Sequence, residues 1–133
     1  MMNMRYLILF GTFGLCNLAA AGTVQMMLDE YRQQGATDVK AQSAERLWTT
    51  EHTPGKGGQL RSCATCHGDD PRQPGKHVRT GKVIAPMAVS VNSKRFSDVK
   101  KIRKWFKRNC KWTLGRECSA QEQADILVWL NSQ

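Results

Sequence analysis

The chain has 133 residues, enough for one small domain and too few for two domains with separate cores. Twenty lysines and arginines against eleven acidic residues give a net charge of +9, which favours an anionic partner. Five cysteines in so short a chain indicate disulfides, a metal site or a covalently attached cofactor.

The first 21 residues have the pattern of an export signal. Arg5 precedes an uncharged apolar run over residues 6–18, and Ala19-Ala20-Ala21 resembles a signal-peptidase cleavage site. The run is shorter than the ~20 residues that span a bilayer, so a cleaved signal is favoured over a permanent anchor. We therefore predict a signal peptide over residues 1–21, which includes Cys16, and a single domain over residues 22–133.

Apolar periodicity predicts four helices, over residues 23–34, 38–48, 97–110 and from 119 onwards. Asp38 and Ser97 are the expected N-caps of the second and third helices, and Ser119 with Glu122 forms a capping box for the fourth. Residues 68–92 contain three prolines and three glycines, which predicts irregular coil. No segment has the pattern of a strand of convincing length, so the predicted fold class is all-α.

The central motif is Cys63-Ala64-Thr65-Cys66-His67. Two cysteines at this spacing can add to the vinyl groups of a haem, and the next residue supplies an imidazole ligand to the iron. The alternatives are a chance occurrence, or half of a zinc site completed by Cys110 and Cys118. Because c-type haem is attached outside the bacterial cytoplasm, the signal and the motif support each other. Together they predict one covalent haem c and a periplasmic protein.

Two further cysteines, Cys110 and Cys118, remain in the exported chain. An oxidising compartment favours a disulfide between them. Free thiols or metal ligands are the alternatives that the spacing leaves open.

Positive charge is concentrated in one predicted helix. Its basic residues, which we call the basic face, are Lys100, Lys101, Arg103, Lys104, Lys107, Arg108 and Lys111. Export argues against nucleic acid, so the functional interpretation is a docking surface for an acidic redox protein. The alternative is a solvated helix face with no partner.

The residue opposite His67 on the iron determines the chemistry. Met87 follows Pro86, as in a ligand loop, but comes only twenty residues after His67, so packing at the haem edge is favoured. His52 and His77 lie in polar segments typical of surface histidines. These three residues remain alternative ligands.

Asn109 is the favoured sixth ligand because of its place on a helix. An apolar stripe with spacings of three, four and three is formed by Val99, Ile102, Phe106 and Asn109. A buried amide needs a partner, and an iron beside the stripe would satisfy its oxygen. The alternative is an asparagine at a helix C-terminus that bonds to nearby backbone. Trp105, Trp112 and Trp129 are expected to pack around the haem and the core.

The order of an early helix, the haem motif, loops and a terminal helix resembles a class I c-type cytochrome. The segment over residues 104–118, with Asn109-Cys110 followed by Cys118, is similar to the sphaeroides haem protein type. That resemblance implies that Asn109 ligates a high-spin ferric haem and that Cys110 pairs with Cys118. It also implies transient oxygen binding, reaction with nitrogen oxides and electron supply from a dihaem cytochrome c.

A neutral amide oxygen suits Fe(III) better than the softer Fe(II). Reduction is therefore expected to release Asn109 and open one face of the haem to O2, NO or CO. The expected function is a diatomic-ligand haem protein, and an oxidoreductase activity of the NO dioxygenase type is its candidate activity. The alternative is a six-coordinate electron-transfer cytochrome with Met87 as the ligand.

Overall fold

In the described part of the chain the four predicted helices occur in the predicted order, which confirms the all-α class. The structure is a computed structural model that describes residues 16–55 and 57–133. The elements are α1 (Cys16–Gln33), α2 (Ala41–Thr49), α3 (Ala64–His67), β1 (Gly75–Lys76), β2 (Val83–Ile84), α4 (Val99–Leu114) and α5 (Ala120–Ser132). Within these residues no helix combines the length and the apolar character needed to cross a bilayer.

Helix α1 begins at Cys16, seven residues before its predicted start at Thr23. The expected cleavage point after Ala21 therefore lies within a helical stretch. Most of the predicted signal peptide, residues 1–15, lies outside the described residues. The signal peptide and the domain boundary at residue 22 stay predictions.

The N-caps of α2 and α4 differ from the predicted ones. Helix α2 is capped by Lys40, whose backbone N–H donates to Asp125 Oδ1 of α5 at 2.7 Å. Helix α4 is capped by Asp98, which accepts a hydrogen bond from the Lys101 N–H, whereas the Ser97 hydroxyl donates to the Lys94 carbonyl. The prediction of Asp38 and Ser97 was wrong because several neighbouring residues could cap, and long-range packing selects among them.

Helix α5 begins as predicted. The Ser119 hydroxyl accepts a hydrogen bond from the Glu122 N–H, and the Glu122 carboxylate accepts one from the Ser119 N–H, which completes the capping box. Arg116 pairs with the same carboxylate at 2.8 Å. Hydrogen bonding to Arg116 is the main cause that lowers the pKa of Glu122, so the box keeps its charged acceptor at neutral pH.

Two apolar clusters meet along α5, which packs against both α1 and α2. The first cluster joins α1, α4 and α5 and consists of Val24, Met27, Leu28, Tyr31, Ala36, Ile102, Ala124 and Leu127. The second joins α2 and α5 and consists of Ala44, Trp48, Ile126, Trp129 and Leu130. Cys63 and Met87 pack at the edge of the second cluster, and Phe106 of α4 contacts both clusters. The core thus positions the haem motif and α4 around one region.

The segment predicted as irregular coil contains a short antiparallel ribbon. Gly75 of β1 pairs with Ile84 of β2, and Lys76 pairs with Val83. The ribbon is only two residues long on each side, which is why no strand pattern marks it in the sequence.

Candidate functional site

The haem motif forms a single helical turn. The His67 N–H donates to the Cys63 carbonyl at 3.1 Å, so α3 places both cysteines and the histidine within one turn. Ser62 and Thr65 fix its start: the Ser62 N–H donates to Thr65 Oγ1 at 2.8 Å, and the Thr65 N–H donates to Ser62 Oγ at 3.2 Å. Cys63 and Cys66 are both free thiols. These are the groups that attachment to a haem requires.

His67 lies beside the indole of Trp48, with ring centroids 5.5 Å apart. Burial, with a smaller contribution from the charge of Arg95, lowers the pKa of His67 to about 4. The imidazole is therefore neutral at physiological pH, which is the form that binds a metal. Among the described residues its buried Nδ1 has no hydrogen-bond partner.

The residue after the motif is held by the same indole. Trp48 Nε1 donates to the Gly68 carbonyl at 2.8 Å, and Trp48 packs edge-on against Trp129 of α5. Trp48 thus connects the His67 turn to the second apolar cluster. The sequence suggested only that Trp48 ends a helix, because its partner lies twenty residues away.

At Gly75, β1 passes so close to the back of the motif that there is no room for a side chain. A Cβ at Gly75 would lie 2.2 Å from the Cys66 carbonyl oxygen and 2.7 Å from His67 Cα. Glycine is the residue that permits such a close backbone approach.

We expect Gly75→Ala to displace the motif turn and to lower the free energy of unfolding by about 2 kcal/mol or more. The effect is checked by denaturant unfolding of the haem-loaded protein. Lys76→Ala is the matched control, because Lys76 is the exposed neighbour of Gly75 in the same strand. Equal unfolding curves for the two variants would contradict the crowding at Gly75.

Asn109 lies within α4, one turn beyond Phe106, and its side chain is half-buried. Helix α4 continues to Leu114, so Asn109 is not at the helix C-terminus and the capping alternative is wrong. Among the described residues no hydrogen bond engages its side-chain amide. A half-buried amide without a protein partner is available to an external ligand.

Cys110 and Cys118 form a disulfide eight residues apart in sequence, next to Asn109. Both cysteines are buried, at 5% and 8% exposure. The bridge joins the last turns of α4 to the start of α5. The zinc alternative is therefore wrong, since these two sulfurs are bonded to each other; in addition, no three metal-binding side chains converge in the described part of the chain.

The alternative ligands occupy different surroundings. Met87 packs against the second cluster, and its N–H donates to the Pro71 carbonyl at 2.9 Å. The His77 Nδ1 is within hydrogen-bond distance of the Thr80 hydroxyl, at 3.1 Å. The His52 Nε2 is buried and has no partner among the described residues, although the sequence suggested a surface position.

A cavity of about 170 Å³ lies between the motif and the end of α4. It is lined by Gln59, Leu60, Arg61, Thr65, Val78, Arg79 and Trp112. Leu60 and Val78 are more than half exposed, so this wall presents apolar side chains that a flat apolar group would cover. The two free thiols, the neutral imidazole and the close approach of Gly75 fit a haem, and the exposed Leu60 and Val78 lie in a cavity that Thr65 of the motif also lines.

A family model described as a domain of unknown function (DUF1924) matches residues 34–130. The cytochrome c-type protein SHP of Cereibacter sphaeroides is 36% identical over 129 residues, which cover 97% of this chain and 98% of that protein. This chain belongs to that family of c-type cytochromes. Cytochrome c'' of Methylophilus methylotrophus is 41% identical over 73 residues, covering 55% of this chain and 51% of that protein.

Solved structures share the fold of this cytochrome. Oxidized SHP, described as an oxygen-binding cytochrome c, superposes with a TM-score of 0.76 at 37% identity, over 83% of this chain and 96% of that one. Oxidized cytochrome c'' superposes with a TM-score of 0.70 at 28% identity, over 84% and 92% of the two chains. The relatives carry covalent haem c, and haem c is the cofactor of this cytochrome.

Every cation of the basic face is exposed. Two of them pair with an acid in the described part of the chain: Arg103 with Glu30, and Lys101 with Asp98 at 3.9 Å. The remaining five, namely Lys100, Lys104, Lys107, Arg108 and Lys111, form no ion pair with a described residue. The cytochrome therefore presents an uncompensated positive surface along α4.

The three tryptophans expected around the haem and the core do not share one environment. Trp129 is buried, as expected, and Trp112 is half-buried beneath the Arg61 guanidinium. Trp105 is 46% exposed, with Arg108 5.1 Å from its ring, so it does not pack in the protein core. The charged neighbours on its own helix turn keep this ring at the surface.

Arg95 supports the loop that leads to Met87. Its Nε donates to the Pro86 carbonyl at 2.8 Å, and its Nη2 donates to the Ala85 carbonyl at 2.5 Å. Sequence reasoning missed Arg95 because a single arginine in a coil segment gives no signal of such a role.

Proposed function

We propose that the haem is attached at Cys63 and Cys66, with His67 as the proximal ligand and Asn109 on the opposite face of the iron. The observation that carries the proposal is the Asn109 amide, which is half-buried on α4 and has no hydrogen-bond partner among the described residues. The neutral His67 imidazole and the free thiols support the proximal assignment. The haem supplies a redox-active iron with one exchangeable position.

In this proposal Asn109 responds to the oxidation state. A neutral amide oxygen holds ferric iron weakly and ferrous iron more weakly still, so reduction releases Asn109. The position that Asn109 leaves would then be open to O2, NO or CO. The released amide N–H can donate a hydrogen bond to dioxygen, which is one way a distal residue controls reactivity. The oxygen binding stated for SHP supports this assignment.

The experiment is a set of ferric and ferrous spectra of the matured protein, with and without CO. We expect a high-spin ferric form and a ferrous form that shifts at once when CO is added. Asn109→Ala is expected to change the ferric spectrum and to leave rapid CO binding intact. Met87→Leu is the matched control and is expected to leave both spectra unchanged.

The alternative function, a closed electron-transfer cytochrome with Met87 as the ligand, predicts the opposite pattern. Both oxidation states would be low-spin and indifferent to CO. Met87→Leu would then remove the methionine-to-iron absorption band, and Asn109→Ala would have no spectral effect. Met87 packs against the second cluster, as Cys63 does, and this is the observation that keeps this function as the second candidate.

The resemblance to the sphaeroides haem protein type extends the proposal to an activity. Conversion of O2 and NO to nitrate takes up one electron, which the ferrous haem would supply and a redox partner would then replace. The partner is an acidic protein, a dihaem cytochrome c in this proposal. We place both proteins in the bacterial periplasm, with residues 1–21 removed during export.

The basic face is the proposed docking surface. Reversing two of its unpaired charges, with Lys100→Glu and Lys107→Glu together, is expected to slow reduction by a purified acidic dihaem cytochrome c about tenfold at low salt. The difference should shrink as salt is added, because salt screens exposed charges. The matched control is Lys76→Glu with Lys82→Glu, two exposed lysines near the ribbon. Equal rates for both double variants would place docking elsewhere.

A further inference from the structure

One side chain joins the haem motif directly to the helix that carries Asn109. Arg61 lies two residues before Cys63, and its Nη1 donates to the Trp112 carbonyl at 3.3 Å. Its guanidinium also lies over the Trp112 ring, 4.3 Å from the centroid. Trp112 follows Asn109 by three residues, slightly less than one turn of α4. Arg61 therefore contacts the same end of the helix as the proposed ligand.

The Arg61 backbone is fixed independently of this contact. The His52 N–H donates to the Arg61 carbonyl at 2.7 Å, and the Arg61 N–H donates back to the His52 carbonyl at 2.9 Å. The next residue, Ser62, makes the hydrogen bonds that start the motif turn. A shift of Arg61 would therefore be transmitted to the cysteines that hold the haem.

The acceptor on α4 is also well suited to a cation. The Trp112 carbonyl is among the last of the helix, and these carbonyls have no partner within the helix. They also carry the negative end of the helix dipole, which a guanidinium stabilises. Beyond it, Gly115 (φ 72°) packs against Pro54, so that a Cβ there would lie 3.2 Å from Pro54 Cα. The segment before the motif thus contacts the end of α4 at two points.

We infer that Arg61 is a positioning residue for Asn109, because it sets the spacing between the haem attached at Cys63 and Cys66 and the turn of α4 that carries the amide. The inference rests on the proposed function. The disulfide holds this helix end from the side of α5, and Arg61 holds it from the side of the motif. Removal of Arg61 lets α4 move away from the haem, so Asn109 leaves the ferric iron more often.

The test is the rate of ligand exchange on the ferric protein with imidazole as the probe. When Asn109 must leave first, the observed rate reaches a plateau at high imidazole, and the plateau is the rate of Asn109 release. We expect Arg61→Ala to raise this plateau roughly three- to tenfold, since it removes a hydrogen bond and a cation–π contact. Arg61→Lys, which keeps the charge over the ring, should restore part of the difference.

Arg46→Ala is the matched control. Arg46 carries the same charge on the exposed side of α2, and its side chain makes no hydrogen bond or ion pair with the described residues. A plateau for Arg61→Ala equal to that for Arg46→Ala would overturn the inference. If Arg61→Ala fails to acquire haem, Trp112→Leu takes its place, because it removes the ring contact alone. An unchanged plateau in Trp112→Leu would then also overturn the inference.

The double variant separates this inference from the proposed function. In an Asn109→Ala background, Arg61→Ala should have no further effect on imidazole binding, because there is no amide left to position. A persistent effect there would show that Arg61 acts by another route and would overturn the inference alone. If instead Asn109→Ala leaves the ferric spectrum and the plateau unchanged, the proposed ligand is wrong, and the inference falls with it.

Discussion

Replacing Cys63 and Cys66 together with alanine is expected to abolish covalent haem attachment completely. Each thiol forms one thioether bond, so the double variant has no bond to the cofactor, and His67 alone cannot retain a haem under denaturing conditions. The measurement is haem staining after denaturing electrophoresis, with the intact mass of the purified chain. The folded state should also lose the stabilisation that a bound group provides, and apolar side chains such as Leu60 and Val78 remain uncovered.

The single variants make this result specific. Cys63→Ala and Cys66→Ala should each retain one thioether bond and give partial staining. A variant in which Cys110 and Cys118 are both alanine should stain fully, because in the native protein these cysteines form a disulfide and do not bind the haem. Full staining of the Cys63 and Cys66 double variant would contradict the assignment of the motif.

Loss of the disulfide is expected to have the second largest effect. The bridge closes a short loop. By the loop-entropy relation, its removal by Cys110→Ala with Cys118→Ala should lower the free energy of unfolding by about 2–3 kcal/mol. Because Cys110 follows Asn109 directly, the same change should weaken the hold of Asn109 on the ferric iron. The measurements are denaturant unfolding and the imidazole plateau on the same sample.

Reduction of the unaltered protein provides the control. After treatment with a dithiol reductant, its unfolding midpoint should move towards that of the double variant, and the double variant should not respond to the reductant. An unfolding midpoint of the double variant equal to that of the oxidised protein would show that the bridge adds no stability.

The parts of the fold that the sequence predicts are those determined by near neighbours. The capping box of Ser119 and Glu122 depends on residues three apart, and the structure shows it as predicted. The apolar stripe on α4 follows from helical periodicity, and it places Ile102 in the core. By contrast, Asp38 and Asp98 are both good N-cap residues by sequence. Asp38 does not cap α2, because α2 packs on Asp125 through the Lys40 N–H and Lys40 becomes its N-cap.

The parts that the sequence could not predict depend on distant pairs. Arg61 and Trp112 are 51 residues apart, and neither belongs to a recognisable pattern. The close approach of Gly75 to the motif is likewise invisible until the chain is folded, since any loop glycine gives the same signal. The haem motif can be recognised in the sequence because covalent attachment fixes the spacing of its cysteines and histidine. The contacts that support the motif have no fixed spacing, so they cannot be recognised in this way.

The hydrogen bond between the Lys40 N–H and Asp125 has a consequence for the order of folding. It joins residues 85 positions apart, and closing so long a loop costs chain entropy before any packing is gained. Contacts of this kind form late and make folding slow. The haem motif lies inside this loop, so we expect the cysteines to meet the attachment machinery on a chain whose core is still open. The attached cofactor then becomes a surface on which α2 and α5 assemble.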